Sequence, residues 1–176
     1  VLVPANYAEY NGSTIVSYYE TLASATANIT NGNTIKPLTN RTETIEPAVT
    51  ASKTAILNLN GKTITLAGVS LRNNGTLTIT GSGEITSSRS STVRNAGTLT
   101  KAGKSKITNT ANSSSGYSAI YNTGIATINA GTITGEYAAI DNNGTVTITG
   151  GTIISTSHVG IYNTTEGKLT IGTNET

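Results

Sequence analysis

The sequence predicts an all-β fold, a parallel β-helix (β-solenoid) of about six coils with a short N-terminal capping helix. Three observations predict it. First, 35 Thr, 17 Ser, 19 Asn and 19 Gly make up about half of the 176 residues, while Cys, Met, Trp and Phe are absent. Helices disfavour that mixture, because Gly costs backbone entropy and short polar side chains compete for backbone hydrogen bonds. A disordered chain would lack the regularly placed Ile, Leu and Val. Second, one phrase recurs: NNGTLTITGSGEI from Asn73, NAGTLTKAGKSKI from Asn95, NTGIATINAGTI from Asn122 and NNGTVTITGGTI from Asn142. Third, an Asn stands at the same place in every repeat: Asn73, Asn95, Asn122, Asn142 and Asn163.

Taken in chain order, residues 1–16 read as an N-terminal arm. Its first ten residues, VLVPANYAEY, read as a separate, partly apolar arm able to supply a strand to the open last coil of another copy. Residues 17–54 read as a cap and a first irregular coil. Within them Ser17 to Asn28 is the helix candidate, with Tyr18, Leu22, Ala25 and Ile29 at helical spacing and Asn31-Gly32 to end it. Pro37 and Pro47 suit a sheet edge or turn better than a central strand. A solenoid's first coil has a bare edge that natural proteins cover, and the helix is placed to do so. Residues 55–176 read as the coils, beginning with two strands around Asn60-Gly61.

The coils align on Gly75, Gly97, Gly124, Gly144 and Gly167, at spacings of 22, 27, 20 and 23 residues. Self-similarity at that period marks a solenoid, in which each repeat buries its apolar face by stacking on its neighbours. One strand column holds Leu77, Leu99, Ala126, Val146 and Leu169. A second holds Ile85, Ile107, Ile133 and Ile153. A third holds Leu71, Val93, Ile120, Ile140 and Ile161. Apolar and polar residues alternate around them, as in strands with one buried face. The Asn column follows the third strand; Asn tolerates left-handed turn geometry, and stacked Asn side chains hydrogen-bond along a ladder. Glu84 and Lys106 share an outward column and are expected to pair. Lys101 stands where Ile79, Ile128 and Ile148 point inward. An unpaired buried charge is costly, so a bulge that turns Lys101 outward is expected, or a register slip of one residue.

The order of a short helix, NGNTIKPL, ILNLNGKTITL and then NNGTLTI-type coils resembles bacterial surface proteins with a right-handed, pectin-lyase-like β-helix. The resemblance covers roughly residues 17 to 171 by pattern and implies a right-handed solenoid. The enzymes of that fold use clustered Asp with a basic residue nearby. Here the single Asp is Asp141, and the matching positions are Thr, Asn and Ser, so no active site carries over. The eight Glu are scattered, whereas glycoside hydrolysis needs paired carboxylates. One His and no Cys leave no Zn site or familiar nucleophile–base pair. No enzymatic activity, catalytic residue, metal or cofactor is expected. A net charge of +2 is too small to imply nucleic acid. No apolar run approaches the roughly 20 residues of a membrane span.

Several surface features remain. Tyr117, Tyr137 and His158 precede the third column, and Tyr121, Asp141 and Tyr162 follow it. Tyr117, Tyr121, Tyr137 and Tyr162 are the candidate ligand-binding residues, able to stack on sugar rings or to support the coils. Arg89, Arg94, Lys101, Lys104 and Lys106 lie in a stretch free of acids, which attracts anionic glycans or is a solvated face. Asn11, Asn28, Asn40, Asn74, Asn112, Asn143, Asn163 and Asn174 head Asn-x-Ser/Thr sequons, candidate glycosylation sites. Thr78, Thr100, Thr127, Thr147 and Thr170 form an unbroken column, but Ile125, Lys168, Ala102 and Gly172 interrupt its neighbours, which weighs against ice binding. The chain opens on Val1 rather than Met, as expected of a processed or excised product, and stops partway through a coil. The expectation is a non-enzymatic structural or adhesive solenoid, extracellular or at the cell surface. Its partner is another copy, joined by strand or coil stacking into a fibre or stalk. The alternatives are a glycan-binding module and, for the open last strand, a cut within a longer surface protein.

Overall fold

A computed structural model describes residues 5–89, 91–111 and 117–172. The chain is an all-β solenoid of about six turns with very little helix. It opens with an antiparallel hairpin, β1 (Tyr7–Asn11) and β2 (Thr14–Tyr19), followed by one helix, α1 (Leu22–Asn28). The first coil is β3 (Thr34–Pro37), β4 (Arg41–Glu43) and β5 (Ala48–Val49). The second is β6 (Thr54–Asn58), β7 (Lys62–Leu66) and β8 (Leu71–Asn73). The third is β9 (Thr76–Thr80), β10 (Gly83–Ser87) and β11 (Ser91–Asn95). The fourth is β12 (Thr98–Lys101), β13 (Lys106–Asn109) and β14 (Ser118–Asn122). The fifth is β15 (Ile125–Ile128), β16 (Thr132–Gly135) and β17 (Ala138–Asn142). The sixth is β18 (Thr145–Ile148), β19 (Thr152–Ser155) and β20 (Val159–Asn163), and β21 (Lys168–Ile171) begins a further turn. No described helix is long and apolar enough to cross a membrane.

Strands of successive coils pair in parallel, so the coils form three sheets. Leu77, Leu99, Ala126, Val146 and Leu169 lie in register along the first. Ile64, Ile85, Ile107, Ile133 and Ile153 do so along the second. Leu71, Val93, Ile120, Ile140 and Ile161 do so along the third. All three columns point into one core, fully buried through the middle coils. The glycine column has a steric cause. A Cβ at Gly97, Gly124 or Gly144 would collide with the carbonyl of the equivalent glycine one coil below. Among the described residues nothing covers the last layer: Ile153, Ile161 and Leu169 are half-buried, and Ile171 is 64% exposed.

Two expectations about the N-terminal third need correction. The helix begins at Leu22, not Ser17, because Ser17 to Tyr19 belong to β2 and pair with β1. The run Thr14-Ile-Val-Ser-Tyr-Tyr is β-branched and aromatic and fits a pleat better than a helix. Thr21 then caps α1 in a capping box with Ser24. Nor does the arm stand apart. Strand β1 pairs antiparallel with β3, and Tyr7, Ala8 and Glu9 are buried; Val1 to Pro4 lie outside the described residues. The hairpin therefore extends the first sheet, while α1 packs on β5 and buries Leu22 and Ala25. The Thr26 hydroxyl accepts a hydrogen bond from the β5 edge N–H of Ala48 at 3.2 Å.

Two buried carboxylates fasten this cap. Glu43 accepts from the Tyr7 hydroxyl at 2.8 Å and from the Leu22 backbone N–H at 3.1 Å, at the positive end of α1. Burial, then the charge and hydrogen bond of Glu43, raise the Tyr7 hydroxyl well above its ordinary range. Glu9 accepts from the Tyr19 hydroxyl at 2.6 Å, the Thr30 N–H at 2.9 Å and the Asn33 amide at 2.7 Å. Burial pushes the Glu9 carboxyl up, but those donors outweigh it and hold the group below its usual value.

Lys101 is also corrected. It is fully buried and in unbroken register with Ile79 and Ile128, so there is neither bulge nor slip. Its ammonium escapes isolation by donating to the Ala130 carbonyl at 3.0 Å and the Ala102 carbonyl at 3.4 Å. It occupies space that a side chain at Gly131 would fill. Desolvation lowers its pKa to about 8.

Candidate functional site

Each outward column is a line of residues one strand spacing apart, roughly 4.8 Å. On the third sheet one such column runs Arg72, Arg94, Tyr121, Asp141, Tyr162. The Arg94 guanidinium carbon lies 5.5 Å from the centroid of the Tyr121 ring, a cation–π contact. Arg72 is ion-paired with Glu46, the one ion pair among the described residues. Asn74 and Thr123 border a shallow groove between Arg72, Arg94 and Tyr121. On the far side of Tyr121 stands the half-buried Asp141. Burial raises its carboxyl above the usual range, and a hydrogen bond from Asn143, at 3.3 Å, opposes the rise.

The four candidate tyrosines fall into two sets rather than one patch. Tyr121 and Tyr162 are separated by Asp141 and stand about 10 Å apart. Tyr137 stacks on His158 with centroids 4.5 Å apart and planes at 20°. Tyr117 is half-buried one coil before Tyr137, and its carbonyl accepts from Ala138. The basic stretch divides three ways. Arg89 bonds the Gly68 carbonyl, Lys101 is in the core, and Lys104 and Lys106 face a second groove that also holds Glu84. Glu84 and Lys106 are register partners, yet the carboxylate takes the Thr108 hydroxyl, and no ion pair joins it to Lys106.

The asparagines form a continuous chain of side-chain bonds. Each Nδ2 donates to the Oδ1 one coil on: Asn73 to Asn95 at 2.7 Å, Asn95 to Asn122 at 2.7 Å, Asn122 to Asn142 at 2.8 Å, Asn142 to Asn163 at 2.7 Å. The other amide hydrogen reaches a carbonyl at the start of the first strand two coils on, as from Asn73 to Thr98 and from Asn95 to Ile125. The ladder thus ties the third sheet to the first at each corner. These asparagines are not left-handed; among the described non-glycine residues only Asn60 has positive φ. At the other end Val49 takes the column position below Asn73, so the Asn73 Oδ1 is buried without a donor.

Of the sequons, Asn11, Asn28, Asn40 and Asn74 are exposed, and Asn143 is half-buried. The Asn163 amide donates to the Gly167 carbonyl at 2.8 Å, a bond in competition with an attached glycan. Asn112 and Asn174 lie outside the described residues. The Thr78, Thr100, Thr127, Thr147 and Thr170 column is in register on the first sheet. No three described His, Asp or Glu side chains converge as a metal-binding group.

The sequence column of Tyr121, Asp141 and Tyr162 extends in the structure to Arg94 and Arg72, neither of them expected in it from the sequence. The signal was present, since both arginines follow a third-column apolar residue, Leu71 and Val93. Comparison with protein-family models, with characterised proteins and with solved structures finds no match.

Proposed function

We propose that this chain is a non-enzymatic structural or adhesive solenoid, displayed outside the cell or at its surface, of the kind the bacterial surface-protein resemblance implies. The observation that carries the reading is the unbroken Asn ladder over a common apolar core. Regular stacking of this kind suits a stiff rod that holds a face away from its anchor point. Self-association by strand addition belongs to the same reading. In the first sheet β2 is an outermost strand with Ile15 and Val16 exposed, at 40% and 48%, and such edges recruit further strands. Electron microscopy and sedimentation across a concentration series test it. Concentration-dependent filaments that Val16→Lys suppresses are expected; a monomer at every concentration contradicts self-association.

A second reading, a glycan-binding surface module, is favoured by one observation: Arg94 and Tyr121 form a charged aromatic ledge on an open groove. Stacking against a ring and bonding to its substituents is what such a ledge offers a sugar.

A further inference from the structure

We infer that the Arg72–Arg94–Tyr121 groove binds a saccharide carrying an anionic substituent, with the sugar packed against the Arg94–Tyr121 pair and the anion on Arg94. The inference rests on the glycan-binding reading and adds to it the class of ligand and the residues that choose it.

Charge is the first argument. Arg72 and Arg94 are direct cross-strand partners on the same outward face, and like charges so placed repel. Glu46 neutralises Arg72, whereas no described carboxylate lies within ion-pair distance of Arg94. The column therefore presents an uncompensated guanidinium beside a neutralised one. A planar donor fork of this kind matches a carboxylate or sulfate.

Geometry is the second. Arg94 is exposed, and its guanidinium is held over the half-buried Tyr121 ring rather than swinging free. That restraint lowers the entropy lost on binding. The groove mouth is bordered by the neutral hydrogen-bonding side chains of Asn74 and Thr123. Asp141 is the next rung past Tyr121, able to accept from ring hydroxyls on the side away from the anion. Cation, aromatic platform and acceptor thus follow one another along a single column. The second groove lacks this order, because Glu84 shares it with Lys104 and Lys106 and no aromatic residue lines it.

The experiment compares matched pairs by calorimetry and ligand-observed NMR: lactose, 3′-sialyllactose and sulfated lactose, against the parent chain, Arg94→Gln and Tyr121→Ala. Both substitutions are on the outer face. The expected result is at least tenfold tighter binding of one or both anionic sugars than of lactose. Added NaCl should weaken that binding, Arg94→Gln should reduce it to the lactose level, and Tyr121→Ala should weaken every sugar. The sialylated and sulfated arms identify which anion the fork takes. Equal binding of neutral and charged sugars, unchanged by Arg94→Gln but lost in Tyr121→Ala, overturns the inference and leaves the glycan reading standing. Absence of binding to all three sugars, and to a wider glycan array, overturns both.

Discussion

The coils from β6 onward and the N-terminal cap solve the same problem, burying an apolar interior, by opposite means. The coils repeat one set of contacts: Ile on Ile, Asn to Asn, glycine beside glycine, each about one strand spacing from its copy. The cap repeats nothing. It joins a hairpin, a two-turn helix and the first coil through two buried carboxylates that reach Tyr7, Leu22, Tyr19, Thr30 and Asn33. Repetition links each coil to the next through one continuous chain of contacts, whereas each bond of the cap reaches a different partner and has no duplicate. Damage should therefore spread along the coils and stay local in the cap.

The largest effect is expected in the ladder. Asn122→Ala removes the bonds from Asn95 and to Asn142 and leaves buried polar atoms on both neighbouring coils. A loss of about 3 kcal/mol in denaturant unfolding is expected, with faster amide exchange on the third, fourth and fifth coils alike. A loss under about 0.5 kcal/mol would mean that the ladder is ornamental.

Lys101 comes next and carries a pH signature. The unfolded chain holds this proton until its ordinary value near 10.5, while the folded chain releases it at about 8. Between those values the unfolded state binds more protons, so stability rises with pH, by up to about 3 kcal/mol. Lys101→Met should abolish that rise relative to the parent. Identical pH profiles from 8 to 10.5 would show that the ammonium is not buried.

Glu43→Ala sharpens the comparison from the other side. It strips the acceptor from the Tyr7 hydroxyl and the Leu22 N–H, and a cost of about 2 kcal/mol is expected. Hydrogen exchange should accelerate in β1, β2 and α1 and remain unchanged beyond the third coil. Uniform acceleration would show that cap and coils unfold as one unit.

Legibility in the sequence follows the same division. A contact made five times leaves a column in an alignment, so Leu71 to Ile161 and Asn73 to Asn163 could be placed by counting. A contact made once leaves none. Nothing near Glu9 announces that Asn33 will bond it, and the β-branched and aromatic run Thr14 to Tyr19 is a strand signal that the helical spacing of Tyr18, Leu22 and Ala25 masks. Lys101 failed for a different reason. Counting gave its inward position, and the expectation of a bulge underrated the carbonyls of Ala102 and Ala130, which a turn places within reach. The candidate groove was half legible. Tyr121 and Asp141 are legible from their column, while Arg94 is grouped by charge along the chain instead of by rung and Arg72 is left out altogether.

The most direct test of the stacked architecture is a nuclear Overhauser spectrum of the side-chain amides and backbone in solution. Parallel in-register winding predicts an unbroken series of contacts among the amide protons of Asn73, Asn95, Asn122, Asn142 and Asn163, each with the next. Strong Hα–Hα contacts typical of antiparallel pairing between successive strands past β3, with no contact between Asn122 and Asn142, would contradict it.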